Sequence, residues 1–148
     1  MNSGIIDTGS MTNLEFEEFI DISKTLKVLY VEDNEESRRL TLRMLKEYFE
    51  DITVAVDGKD ALEMFKKNRY QVVFTDLDMP TMDGLSMIES IREFDALTPI
   101  VVLSGCDSKE CFLESIQAGI DGYILKPYCF DEVTDTIVNT IHKLGLYK

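Results

Sequence analysis

The chain has 148 residues, 45% of them apolar and 29% charged, the balance of one soluble globular domain. Its 28 acidic and 15 basic residues leave a net charge of -13, so it lacks the basic face that direct nucleic-acid or membrane-surface binding requires. No apolar run reaches the roughly 20 residues of a transmembrane helix, and the opening MNSGIIDTGSM has neither the basic start nor the apolar core of a secretory signal.

Residues 1–25 read as an extension. The polar, Gly-bearing MNSGIIDTGS is expected to be disordered. Thr12-Asn13-Leu14-Glu15 has the spacing of a capping box. It predicts a short helix carrying Leu14, Phe16, Phe19, Ile20 and Ile22, packed on the domain or on a partner. From Lys27 strands and helices alternate. Val28-Leu29-Tyr30-Val31 is a strand that stops at Glu32-Asp33-Asn34, where good N-caps begin. A helix is expected from Glu35 to Phe49, with Leu40, Met44, Leu45 and Tyr48 at helical spacing. Ile52–Val56 is the second strand, closed by Asp57-Gly58, and Ala61, Leu62 and Phe65 mark the helix after it. Val72-Val73-Phe74 is the third strand. It ends at Asp76, before a loop with Pro80 and Gly84, and Leu85, Ile88 and Ile91 begin the next helix. Ile100–Leu103 runs into Ser104-Gly105. Phe112, Leu113 and Ile116 predict a helix stopped by Gly119 in the C-cap role. Tyr123-Ile124-Leu125 ends at Lys126-Pro127, and Val133, Ile137, Ile141 and Leu144 line the last helix.

Five strand–helix pairs with continuously apolar strands predict an α/β fold: a doubly wound parallel sheet with helices on both faces. Residues 26–148 form that one domain. Cys106, Cys111 and Cys129 show no C-x-x-C spacing, and without a secretory signal they read as reduced thiols of a cytoplasmic protein. The single His142 builds neither a zinc site nor a triad alone and reads as helix-end packing.

In a parallel sheet the C-terminal ends of all strands share one edge, where open α/β sheets bind ligands. Glu32 and Asp33 end the first strand, Asp76 the third, Ser104 the fourth and Lys126 the fifth. Singly, each has an ordinary explanation: Asp33 as a helix cap, Ser104 as a turn hydroxyl, Lys126 as a surface lysine, Asp78 and Asp83 as loop polars. Jointly they describe a chemistry. Three crowded carboxylates repel unless a cation neutralises them. A few carboxylate oxygens suit Mg2+, which also takes phosphate oxygens. An aspartate can attack a phosphoryl group, while a lysine and a hydroxyl stabilise charge on the transferred oxygens.

These residues resemble the receiver domains of bacterial response regulators and hybrid histidine kinases. The resemblance covers residues 26–145. It rests on Val28-Leu29-Tyr30-Val31-Glu32-Asp33-Asn34, on Asp76-Leu77-Asp78-Met79-Pro80 with Met82-Asp83-Gly84, on Leu103-Ser104-Gly105, and on Gly122-Tyr123-Ile124-Leu125-Lys126-Pro127. It implies a flavodoxin-like strand order 2-1-3-4-5 and a usually cis Lys126-Pro127 bond. Asp76 would be the phosphoacceptor. Mg2+ would be held by Asp33 and Asp76, by Glu32 through water, and by the backbone carbonyl of Asp78. Ser104 would hydrogen-bond the phosphoryl group, Lys126 would pair with Asp76 or the phosphate, and Tyr123 would be an aromatic switch. Ser104 stands where the family often has threonine. Asp78 and Cys106 would occupy positions that in such proteins tune hydrolysis of the acyl phosphate.

The implied function is a phosphoacceptor in a two-component phosphorelay rather than a turnover enzyme. Its implied partners are a histidine kinase or histidine phosphotransfer protein, a downstream target or effector, and a second copy of the chain. Two other readings compete. A receiver-like interaction module would never be phosphorylated, which the intact acids and Lys126 argue against. A haloacid-dehalogenase-type phosphatase would use Asp76-Leu77-Asp78 as its D-x-D, but that motif follows the first strand in those enzymes and the third strand here.

Overall fold

The computed structural model describes residue 9 and residues 11–77 and 83–145. The expectation of disorder at the N-terminus falls on residues 1–10, nearly all outside that range. Strands β1 (Lys27–Val31), β2 (Asp51–Ala55), β3 (Val72–Thr75), β4 (Ile100–Ser104) and β5 (Gly122–Leu125) form one parallel sheet in the order β2-β1-β3-β4-β5. Helix α1 (Asn13–Ser23) precedes the sheet; α2 (Glu35–Leu45), α3 (Gly58–Lys67), α4 (Gly84–Phe94), α5 (Lys109–Ala118) and α6 (Phe130–His142) follow the strands in turn.

Side chains alternate across a strand, so each central strand supplies two cores. Val28, Tyr30 and Phe74 pack under α1, α2 and α6, with Phe19, Leu45 and Ile137. Leu29, Val31, Val73 and Val102 pack under α3, α4 and α5, with Phe65, Met87 and Ile88. Burial on both faces explains why β1, β3 and β4 are apolar throughout. Among the described residues no helix is long and apolar enough to cross a membrane.

The N-terminal helix docks on the domain. Thr12 and Glu15 form the reciprocal capping box, each side chain accepting the other's backbone N–H at 3.1 Å. Phe19 is fully buried, 6.2 Å from the ring of Tyr48, and Ser23 Oγ donates to the Tyr48 carbonyl at 2.6 Å. Burying one such aromatic stabilises by about 1.5–3 kcal/mol.

Three expectations are corrected. The helix predicted to reach Phe49 ends at Leu45. Leaving the helix there lets the adjacent Tyr48 and Phe49 both enter the core, which helical spacing forbids, while Leu40 stays 55% exposed. In α5 the predicted apolar stripe of Phe112, Leu113 and Ile116 faces outward, and Ser115 and Ala118 are the buried residues. Ser115 can sit inside because its hydroxyl donates to the Cys111 carbonyl at 2.9 Å. Finally, Cys106 and Cys111 are joined in a disulfide rather than reduced, and only Cys129 is a free thiol, exposed at the start of α6. Ser108 caps α5 between the paired cysteines, and the turn it makes brings their Cα atoms to 6.4 Å, within bridging range.

Candidate functional site

Strand register assembles the site. Val31 of β1 lies opposite Thr75 of β3, so the next residues, Glu32 and Asp76, emerge side by side. The Asp76 N–H donates to the Val31 carbonyl at 3.1 Å and ties the two chain ends together. Ser104 of β4 lies opposite Leu125 of β5, which places Lys126 at the same edge, its N–H donating to the Ser104 carbonyl at 2.8 Å. Asn34 caps α2 by accepting the Ser37 N–H at 2.8 Å, so the chain turns immediately after the acid pair. Arg38 holds that turn, donating to the Glu32 carbonyl at 3.0 Å.

The acids converge as the sequence predicts. Glu32, Asp33 and Asp76 each offer a carboxylate oxygen, and these atoms lie within 4.8 Å of one another. Glu32 is buried, whereas Asp33 and Asp76 are half-buried at the mouth. Burial, and then the neighbouring Glu32 carboxylate, push the Asp76 carboxyl up to about 7, against the opposing pull of Lys126 and the Leu77 N–H. Burial alone would lower the Lys126 ammonium. Its neighbours Tyr128, Glu32 and Asp76 outweigh burial and hold it above the usual lysine value.

Lys126 reaches the cluster, but the ion pair it makes is with Glu32 at 3.1 Å rather than with Asp76. Its second hydrogen bond goes to Ser37 Oγ at 3.0 Å. Glu32 is the more deeply buried charge and therefore has the stronger claim on the cation. Ser37 and Arg38 escaped the sequence reading. The signal for Ser37 was its position three residues past the Asn34 cap, which turns it back toward the strand edge.

Asp83, weighed as a loop polar, is the N-cap of α4, accepting the Ser86 N–H at 2.8 Å. The Gly84 N–H donates to the Leu77 carbonyl at 2.7 Å. A Cβ on Gly84 would meet the Asp76 carbonyl oxygen and lie 2.6 Å from Leu77 Cα, so only glycine fits beneath Asp76. Asp78, the fourth expected metal contact, lies outside the described residues.

A second group surrounds Ser104. Its buried hydroxyl accepts the Cys106 N–H at 3.0 Å. The Tyr123 hydroxyl donates to the Cys106 carbonyl at 2.7 Å, and its ring meets Phe112 edge-on at 5.6 Å. Phe112, Tyr123, Leu125 and the Cys106–Lys109 segment line a groove of about 350 Å³. The Lys126-Pro127 bond is cis. The predicted metal, acceptor and switch residues thus occupy one edge of the sheet, Asp78 aside.

Comparison with known proteins agrees with this arrangement. Residues 28–138 match the family described as response regulator receiver domain. The chemotaxis protein CheY of Halobacterium salinarum is 36% identical over 115 residues, covering 78% of this chain and 96% of that protein. The receiver domain of Francisella response regulator 1452 superposes with a TM-score of 0.69 at 33% identity, covering 79% of this chain and 98% of its own. A sensor histidine kinase receiver domain from Pseudomonas aeruginosa, solved with a magnesium ion coordinated in its active-site cleft, gives 0.72 at 26% identity, with coverage of 79% and 98%. The convergent acid cluster, the β2-β1-β3-β4-β5 order and these matches agree: the chain belongs to the response regulator receiver family of two-component signalling, and its fold and sequence are similar to the chemotaxis receivers.

Proposed function

We propose that the domain accepts a phosphoryl group on Asp76 from a phosphohistidine, in a Mg2+-dependent reaction, and that the added charge switches binding of a downstream partner. One observation carries this reading: Glu32, Asp33 and Asp76 bring carboxylate oxygens within 4.8 Å of each other, with the Lys126 ammonium 3.1 Å from Glu32.

The donor set fits a hard divalent cation, being all oxygen and negatively charged. Burial first, and then the Glu32 carboxylate, push the Asp76 carboxyl upward, and a bound cation would offset both. Glu32, Asp33 and Asp76 would hold Mg2+, which supplies positive charge for the phosphoryl oxygens when bound. The chain's own groups do the rest. An Asp76 carboxylate oxygen attacks phosphorus, the P–N bond to the donor imidazole breaks, and the imidazole leaves with the electron pair. Lys126, which hydrogen-bonds Glu32 and Ser37 at rest, counters charge on the phosphoryl group, and the Ser104 hydroxyl donates to one of its oxygens. Movement of Ser104 is transmitted through Cys106 to the Tyr123 hydroxyl and to α5. The donor is a histidine kinase or a histidine phosphotransfer protein, the setting is the cytoplasm, and the domain acts as a stoichiometric acceptor.

Acetyl phosphate with Mg2+ tests the assignment. Wild-type protein should gain one phosphoryl group that is lost in hydroxylamine, and Asp76→Asn should gain none. Undiminished labelling of that variant refutes it.

A further inference from the structure

We propose that Cys106 and Cys111 are a redox modification site: a reversible disulfide, opened by a dithiol reductant, that restrains the switch loop and weakens phosphoryl binding while closed. The proposal rests on the phosphoacceptor reading above.

Cys106 is where three restraints meet. Its N–H donates to Ser104 Oγ at 3.0 Å, its carbonyl accepts from Tyr123 at 2.7 Å, and its sulfur is bonded to Cys111 in the first turn of α5. Movement of Ser104 toward a phosphoryl group on Asp76 therefore has to shift Cys106. The cross-link makes α5 resist that shift. Opening it leaves hydrogen bonds alone, to Ser104, Tyr123 and, from Cys106 Sγ at 3.4 Å, Ser108, which can exchange one at a time. A ligand and a covalent restraint acting on the same loop are coupled, and coupling of this kind is commonly worth about 5- to 150-fold in affinity.

The bond is placed for turnover. Both cysteines are half-buried rather than enclosed, so a reductant can reach them. Cys111 lies in the first turn of a ten-residue helix, whose positive end favours a leaving thiolate. Disulfides in a reducing compartment are characteristically transient and redox-sensing. The reaction balances as ordinary exchange. One thiolate of the reductant attacks a cysteine sulfur and the Cys106–Cys111 bond breaks. The displaced thiolate takes a proton, the second reductant thiol resolves the mixed disulfide, and two electrons and two protons pass to the protein. Oxidation by a disulfide of the same class reverses it.

The test uses the whole chain in a Cys129→Ser background, which prevents cross-linking through the exposed thiol. Alkylation and mass analysis should count no reactive thiols after oxidised glutathione and two after dithiothreitol. Beryllofluoride with Mg2+ should then bind about tenfold more weakly to the oxidised form, and Cys111→Ser should bind as the reduced form does under both conditions. Equal affinity in the two states overturns the proposal, as does a redox response that survives in Cys111→Ser. If neither state binds beryllofluoride, the phosphoacceptor reading itself fails. Amide exchange at Cys106 then decides the restraint alone: faster exchange on reduction supports it, and no change overturns it.

Discussion

Thr41 of α2 and Tyr128, two residues beyond Lys126, share a hydrogen bond of 2.7 Å between their hydroxyls. Thr41 is buried, and burial holds the Tyr128 phenol above its usual value despite that bond. The contact ties the chain after β5 to the helix that follows the acid pair, so it braces Lys126 from behind. Thr41→Val keeps the shape and removes the partner of a desolvated phenol. The expected loss is about 1–2 kcal/mol in urea unfolding, and Tyr128→Phe combined with it should recover part of that loss.

Asp76 predicts a stability profile with a definite sign. Its folded value of about 7 lies above the ordinary 3.8, so between those values the folded state binds the proton more tightly. Stability therefore falls as pH rises through that window and levels off above it. Asp76→Asn removes the effect. Without metal, the variant should exceed wild type by about 1–3 kcal/mol above pH 7, with the gap closing near pH 4, a range discounted from the full shift for partial solvent exposure. Chemical denaturation across pH in a chelator checks it. A wild type as stable as the variant at pH 8 would count against the buried-charge account.

Lys126→Met should do two kinds of damage. It leaves the Glu32 carboxylate, 2% exposed in its side chain, without its cation. Removing one partner of a buried pair costs about 3–5 kcal/mol, and the half-exposed lysine argues for the lower end. Phosphorylation by acetyl phosphate should fall more than Mg2+ affinity, because the proposed Mg2+ ligands are the acids rather than the lysine. Isothermal titration of Mg2+ beside a labelling time course separates the two.

Gly84→Ala places a methyl group against the Asp76 carbonyl and 2.6 Å from Leu77 Cα, and both are backbone atoms that cannot rotate away. A loss of about 2–4 kcal/mol is expected from such overpacking. The Asp76 loop should shift with it, so beryllofluoride binding should weaken even at temperatures where the variant is fully folded by circular dichroism.

Phe19→Ala tests whether α1 is part of the folding unit. Truncating a fully buried phenylalanine costs about 3–5 kcal/mol, and Phe19 is completely buried. A single cooperative transition at lower denaturant is the expected result. An unchanged midpoint would show that the helix contributes nothing.

Where the sequence was legible, the reason is positional. Glu32, Asp76, Ser104 and Lys126 could be gathered from the page because each ends a strand, and parallel strands share an edge. Gly119 announced its capping role through residue type and does adopt φ 104°, whereas Asp83 passed for a loop polar and is the N-cap of α4. Side-chain orientation was less legible. Phe112, Leu113 and Ile116 have helical spacing, yet the face of α5 that is buried carries the small residues Ser115 and Ala118. The partner of Lys126 depended on the relative burial of Glu32 and Asp76, which spacing does not encode. The Cys106–Cys111 bond escaped because a five-residue separation signals nothing until Ser108 turns the chain between them.

The pairing of Val31 with Thr75 has a further consequence. Two of the acids inherit their spacing from one of the two inner ladders of the sheet, the part of a fold last to open in local fluctuations. Tyr123 and Phe112 hang instead on the edge strand β5 and on α5. On the proposed reading, chemistry is thereby mounted on the inner timber of the molecule and communication on its outer parts, so the outer helices can change sequence to suit new associates while the reacting atoms stay in place.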